Sequence, residues 1–320
     1  LQLTVIWMKV LVTGAAGFIG SHTAEKLQKA GMEVMGIDNF SPYYDITLKR
    51  QNADILKDLG VEIVEVDLRD KERLLQIPIN FDFIIHFAAH PGLSAKSTFD
   101  DYYTNNVLGT RNLINFAELN KDLKHFIYIS TSSVYGLKVD FPETTPPNPA
   151  SDYGSTKLEG EELIMKEVEL GSMKASILRL FSVYGPRERP DKLYTRLISC
   201  GLNNEVFRIF EGSEKHSRSF TYVGDIVKGI YQAVLRYDKI NGEIINLGAR
   251  EEYKTLDGIA LVEELLGKQI KIEVISKRNG DQLATSANIG KAIEWLEYNP
   301  STTLKEGLKK QIDWYKNLRV

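Results

Sequence analysis

The stretch that most constrains this chain is residues 8–27. Met8-Lys9-Val10-Leu11-Val12 is an apolar run leading straight into Thr13-Gly14-Ala15-Ala16-Gly17-Phe18-Ile19-Gly20, and Ser21-His22-Thr23-Ala24-Glu25-Lys26-Leu27 continues as a helix. A strand, a glycine-rich turn and a helix N-terminus make a cradle for a pyrophosphate. The first helical turn leaves N–H groups free, and its partial positive charge points at the ligand. Gly14 permits the tight turn, Gly17 lets backbone approach the phosphate oxygens, and Gly20 lets the helix lie close on the sheet. Phe18 and Ile19 belong to the same turn and complete the expected phosphate-binding set.

Val34-Met35-Gly36-Ile37-Asp38 reads as a second strand that ends in an acid. Asp38 lies 18 residues beyond Gly20, close to the spacing of a carboxylate that binds the ribose of a dinucleotide. With Asn39 beside it, Asp38 is assigned to that ribose. A carboxylate accepts hydrogen bonds from ribose hydroxyls but repels a 2′-phosphate, so the expected cofactor is NAD rather than NADP.

Further apolar runs at 61–67, 83–87, 126–130 and 175–180 alternate with helical patterns near 46–59, 99–120 and 153–170. Repeated β–α alternation with nearly continuous apolar strands means an α/β fold, a doubly wound parallel sheet of Rossmann type covered by helices on both faces. After about residue 181 the texture changes: Pro186, Pro190 and several arginines interrupt the alternation. Short strands near 206–210, 243–247 and 271–275 follow, with helices near 223–237, 255–266, 288–297 and 303–318. The expected division is residues 1–181, with later interleaved segments at about 212–247, as the dinucleotide-binding domain, and 182–320 mainly as a smaller α/β substrate-binding lobe.

The net charge of −3 gives no global attraction to nucleic acid or anionic membranes, and no stretch reaches membrane-spanning length. The single cysteine, Cys200, excludes an internal disulfide, which fits a cytoplasmic setting. Cys200 reads as a helix core residue, His86 as a packed strand residue, and no cluster has metal-ligand spacing. Leu1–Trp7 is apolar without the basic region of a leader, so Met8 reads as the natural start.

Chemistry enters at Tyr153-Gly154-Ser155-Thr156-Lys157, a tyrosine and a lysine four apart at a helix start and therefore on one face. A phenol is a poor base at neutral pH, but nearby positive charge favours the phenolate. Such a pair can take a proton from an alcohol while hydride leaves the same carbon. Ser130-Thr131-Ser132-Ser133 sits at the carboxyl end of a core strand, where this architecture places its site. A hydroxyl there can hydrogen-bond the reacting oxygen.

Together these motifs resemble the extended short-chain dehydrogenase/reductase family, and within it the NAD-dependent nucleotide-sugar epimerases and dehydratases. The resemblance implies Thr131, Tyr153 and Lys157 as catalytic residues, with Tyr153 as base and Lys157 also reaching the nicotinamide ribose. It implies adenine contacts from Asp67-Leu68, a dinucleotide lining from Phe87-Ala88-Ala89, and Asn105 near the site. Thr131, Ser132, Ser133 and Tyr153 would meet the sugar, while Ser182, Arg218 and Arg278 would meet the diphosphate of a UDP-sugar. The family's helix pairing implies a homodimer through the 99–120 and 153–170 helices.

Dehydratases and decarboxylases of this type resemble one another in carrying a carboxylate just after the catalytic threonine, where this chain has Ser132 and Ser133. That leaves 4-epimerisation. The segment Asp38–Lys49 and the loop Gly185-Pro186-Arg187-Glu188-Arg189-Pro190-Asp191 are similar to those of UDP-glucuronate 4-epimerases, and Arg189 falls on their carboxylate-contacting arginine. Arg187 and Glu188 depart from the Trp-Gly usual there, Ser94 stands where arginine is common, and Arg278 stands where glutamine is common. UDP-glucose/UDP-galactose 4-epimerisation is therefore the second reading. Arg189 could also simply pair with Glu188 or Asp191.

Overall fold

The strands are ordered by their alternation of apolar side chains. Val10 and Val12 point to one face and Leu11 to the other, and Ile85 and Ile127 oppose Ile84, Phe126 and Tyr128 in the same way. The computed structural model describes residues 8–92, 97–139, 142–276 and 283–318. Seven parallel strands form its main sheet: β1 (Lys9–Thr13), β2 (Glu33–Asp38), β3 (Glu62–Glu65), β4 (Phe83–His86), β5 (His125–Thr131), β6 (Ala175–Leu180) and β7 (Ile244–Leu247), in the order β7-β6-β5-β4-β1-β2-β3. The strand order reverses between β1 and β4, so the carboxyl ends of those two strands flank an open crevice.

Helices α1 (Phe18–Lys29) and α2 (Ile46–Asp58) follow β1 and β2. Helix α3 (Gly109–Leu119) and helix α4 (Asp152–Glu169) precede β5 and β6. Then come α5 (Leu193–Asn203), α6 (Val223–Leu235), α7 (Thr255–Leu266), α8 (Gly290–Leu296) and α9 (Leu304–Lys316). Ala24 and Leu27 of α1, Ile226 and Ile230 of α6, and Leu296 of α8 bury against one face of the sheet. Leu113 and Phe116 of α3 and Ile164 of α4 bury against the other. A third core, with Leu197 of α5, Val262 of α7, Leu308 of α9 and Phe207 of the strand Phe207–Phe210, lies apart from the sheet.

Two differences from the sequence reading stand out. The expected single helix over 99–120 is an α turn (Phe99–Tyr103), a π segment (Thr104–Leu108) and then α3. Helix α5 is not among the elements that the sequence pattern predicts, although it holds Cys200, which reads as a helix residue. Cys200 is half-buried, its Sγ 3.7 Å from the Val206 carbonyl oxygen. His86 is a packed strand residue as expected, fully buried between the hydroxyls of Thr13 (2.7 Å) and Thr110 (2.9 Å). Among the described residues no helix is long and apolar enough to cross a membrane, and no group of three or more His, Cys, Asp or Glu side chains is placed to hold a metal.

Candidate active site

The turn after β1 is built by close backbone approach. A Cβ on Gly20 would stand 2.2 Å from the Gly14 carbonyl oxygen, and one on Gly14 would stand 2.9 Å from the Ala88 nitrogen. Gly14 adopts φ +66°, which suits glycine alone without strain. Gly17 is the N-cap of α1, and no side chain caps that end. The N–H groups of the first turn therefore remain for a ligand, and no acidic side chain in that turn opposes an anion.

Asp38, at the end of β2, is 6% exposed and accepts hydrogen bonds from the backbone of Ala16 (3.1 Å) and Phe40 (2.8 Å). Burial pushes its carboxyl up, and Lys49, 3.9 Å away, works against that shift. Asn39 donates to Asp67 (3.0 Å), which also accepts from Arg69 through its backbone N–H (2.9 Å) and two side-chain hydrogen bonds of 2.9 and 2.7 Å. Those contacts from Arg69 hold the Asp67 carboxyl down at about 2. These residues fit the adenosine half of a dinucleotide: a small-residue turn, a free helix end, and a carboxylate at the rim.

One cavity of about 550 Å³ joins this cradle to the ends of β4, β5 and β6. Its wall includes Gly14, Gly17, Phe18, Ile19, Gly20, Asp38, Asn39, Asp67, Leu68, Phe87, Ala88, Ala89 and Asn105. Thr131, Ser132, Ser133, Tyr153, Lys157, Ser182, Arg189 and Arg218 line the same space. Of the residues assigned from the sequence, Arg278 alone lies outside the described residues; Ser94 lies outside them too. The volume is that of an ordinary small-molecule site.

Ser151 caps α4 by accepting from the Gly154 N–H, at 3.1 Å, which places Tyr153 in the first turn and Lys157 one turn on. Burial pushes the Tyr153 phenol up; the Arg189 guanidinium and the Thr131 hydroxyl pull the other way. Lys157 lines the same cavity as Tyr153 and stands 3.9 Å from the centre of the Tyr128 ring, and burial lowers it to about 7. Glu161, one turn further along α4, supports its charged form. Glu161 is itself buried, paired with Arg179 of β6 (Nε–Oε1 3.0 Å) and accepting from Ser130 of β5.

Arg189 lies on the loop after β6 and is 8% exposed. It pairs side-on with Asp191 (3.0 and 2.9 Å) and sits 5.2 Å from the centre of the Tyr43 ring. It does not pair with Glu188, which points elsewhere. Sequence reasoning missed several wall residues: Tyr44, Lys49, His90 and Lys192. His90 packs edge-on between Tyr43 and Tyr102, 4.9 Å from each ring centre. Isolated side chains of this kind carry no motif, and only their place at the strand ends marks them.

The chain belongs to the NAD dependent epimerase/dehydratase family, whose model matches residues 10–248. More particularly, it is 37% identical to UDP-glucuronate 4-epimerase 2 of Arabidopsis thaliana, across 96% of this chain and 76% of that one. It is also 37% identical to an uncharacterized UDP-glucose epimerase of Bacillus subtilis, across 97% of this chain and 99% of that one. Among solved structures it is similar to UDP-glucuronic acid 4-epimerase from Bacillus cereus in complex with UDP-glucuronic acid and NAD. The TM-score there is 0.91 at 38% identity, covering 98% of this chain and 100% of that one.

Proposed function

We propose that this chain is an NAD-dependent UDP-sugar 4-epimerase that acts on UDP-glucuronate and returns UDP-galacturonate. Support comes first from one observation: Arg189 lines the same cavity as Tyr153 and Thr131, and no carboxylate follows Thr131. The relatives above are named as epimerases of UDP-glucuronate and, for the uncharacterized one, of UDP-glucose, and the solved relative holds UDP-glucuronic acid and NAD.

When bound, NAD supplies the hydride acceptor and donor for carbon 4 of the sugar and adds positive charge beside the phenol. Tyr153 takes the proton of the 4-hydroxyl as the C4–H bond breaks, and Thr131 hydrogen-bonds the same oxygen. Burial alone would keep the phenol protonated; Arg189 and the Thr131 hydroxyl favour the phenolate that a base needs. The 4-keto sugar turns over in the cavity, and Tyr153 then returns the proton as the opposite face of carbon 4 is reduced. Ser132 and Ser133 offer hydroxyls but no carboxylate, so this wall is not equipped for elimination at carbon 5. Ser182 and Arg218 hold the diphosphate, and Arg189 reads the sugar carboxylate with its guanidinium fork. The same reading assigns a cytoplasmic setting and a homodimer through α3 and α4, to be checked by fractionation and by mass in solution.

A neutral sugar is the second reading, and one observation favours it: Asp191 already occupies two N–H groups of Arg189. Two measurements decide. Nucleotides released on denaturing the purified protein should include NAD. Wild type and Arg189→Ala should then be assayed with UDP-glucuronate and with UDP-glucose. A charge-assisted contact is worth about 1.5–3 kcal/mol, so Arg189→Ala should lose roughly tenfold to a hundredfold on UDP-glucuronate and little on UDP-glucose. Wild type that interconverts UDP-glucose and UDP-galactose but ignores UDP-glucuronate would put the second reading in place of the first.

A further inference from the structure

The loop that carries Arg189 also carries, just before it, the two residues that depart from the expected Trp-Gly pair, Arg187 and Glu188. The chemistry above uses neither, yet both are anchored. Arg187 has φ +66°, a left-handed conformation that a non-glycine residue holds only when its surroundings enforce it. Its Nη2 donates to Glu25 Oε2 at 2.7 Å and its Nη1 reaches Ser21 Oγ at 3.4 Å. His22 Nε2 lies 2.9 Å from the Pro186 carbonyl oxygen. Burial, with Arg187 nearby, lowers His22 to about 4, so the ring is neutral at pH 7; a carbonyl only accepts, so Nε2 carries the proton. Ser21, His22 and Glu25 all belong to α1, whose first turn closes the pyrophosphate cradle.

Glu188 turns the opposite way. Its Oε2 accepts from the Thr195 hydroxyl (2.8 Å) and N–H (3.3 Å) and from Gln311 Nε2 (2.8 Å). Thr195 is on α5 and Gln311 on α9, and Gln311 also donates to the Thr195 hydroxyl at 3.0 Å. Glu188, Thr195 and Gln311 are all buried. Adjacent residues of one loop thus grip two different halves of the molecule, and the next residue is Arg189.

We infer that Arg187 and Glu188 are positioning residues that rivet the Arg189 loop to the cofactor-cradling helix on one side and to α5 and α9 on the other, fixing where the sugar is read relative to the cofactor. This rests on Arg189 being the residue that reads the sugar. A guanidinium held on a fixed arm binds without first ordering its loop, so loss of either rivet weakens binding of the sugar and spares the nucleotide.

The test measures binding of UDP and of UDP-glucuronate to the purified NAD-containing protein by calorimetry, with thermal unfolding recorded for every variant. R187A and E188A should each weaken UDP-glucuronate about fivefold to tenfold and leave UDP within about twofold. E188Q, which keeps an acceptor oxygen for Thr195 and Gln311, should stay near wild type. The exchange R187E with E25R should recover part of the R187A loss. If R187A fails to fold, R187K, which keeps one donor to Glu25, and E188A carry the comparison. Unchanged UDP-glucuronate affinity in R187A and E188A overturns the proposal, and so does an equal loss for UDP alone. R189A separates the two readings. If it is silent while R187A weakens the sugar nucleotide, the assignment of Arg189 falls and the anchoring stands. If R189A weakens binding and neither neighbour does, the anchoring falls by itself.

Discussion

At the scale of single residues, Tyr153 carries the sharpest expectation. Its phenol lines the cavity together with Thr131 and Arg189, and its ring centre lies 6.3 Å from that of Tyr102. Tyr153→Phe removes one oxygen and keeps the ring packing. Turnover should fall by about a hundredfold or more, because a general base is lost, while NAD released on denaturation stays at the wild-type level. Near-normal turnover would take Tyr153 out of the mechanism. Thr131→Val should cost less, since water can replace a hydroxyl. The Tyr-x-x-x-Lys spacing was legible in the sequence because four residues is one helical turn. What was not legible is that Arg189, 36 residues further on, lines the same cavity as Tyr153 and favours its phenolate, because an approach made through tertiary folding leaves no local pattern.

At the scale of elements, the central parallel strands were readable because they bury both faces and so show an unbroken apolar run, whereas the edge strand β3 leaves Glu62 and Glu65 exposed. Shorter pieces were not. Ser217–Arg218, Thr221–Tyr222, Tyr253–Lys254 and Ala284–Thr285 pair as strands over two residues each, too few for any periodicity to register. The π segment Thr104–Leu108 was hidden for another reason: its apolar residues continue the helical spacing on either side. Its effect is local and polar. Asn106, inside it, accepts from the His90 N–H (2.7 Å) and donates to the His90 carbonyl (3.2 Å) and to the Thr156 hydroxyl (3.0 Å). One side chain thereby ties the segment after β4 to α4 beside Tyr153, while Asn105 faces the cavity. Asn106→Ala leaves the part-buried His90 backbone and the buried Thr156 hydroxyl without these partners. The expected loss is about 1–3 kcal/mol in urea unfolding. A loss below about 0.5 kcal/mol, the range of ordinary surface changes, would mean that water takes over the role.

At the scale of the whole molecule, segments from residue 14 to residue 255 gather into one cavity, and topology explains most of it. Most of the motifs follow strands of the parallel sheet, and all such strands end on the same side; Arg218 comes instead from the short strand Ser217–Arg218 outside that sheet. The scaffold that holds them includes three histidines kept neutral by burial. Burial, with Arg187, lowers His22 to about 4; burial, with Lys174, lowers His125 to about 3; burial, with Lys157, takes His86 well below its usual range. In the unfolded chain each would titrate near ~6.5. Between that value and the folded ones the unfolded chain binds protons that the folded chain refuses. Their contribution to stability is therefore complete above about pH 6.5 and is lost as pH falls towards the folded values. Asp38, raised by burial, does not add to this loss, because a raised carboxyl takes its proton in the folded state first. His125 is the cleanest probe. It is remote from the cavity wall, its Nε2 meets only the Ser176 hydroxyl (3.0 Å), and its Nδ1 has no partner. Its ring packs at 6.2 Å from Tyr237, a contact that phenylalanine can keep. His125→Phe should cost some stability at pH 7 through the orphaned hydroxyl. On going from pH 6.5 to pH 5 the wild type should lose about 1.5 kcal/mol at this position that the variant keeps. Urea unfolding of both proteins at the two pH values measures the difference directly. The gap between them should shrink or reverse at the lower pH, and a gap independent of pH would mean that His125 titrates alike in the folded and unfolded chains.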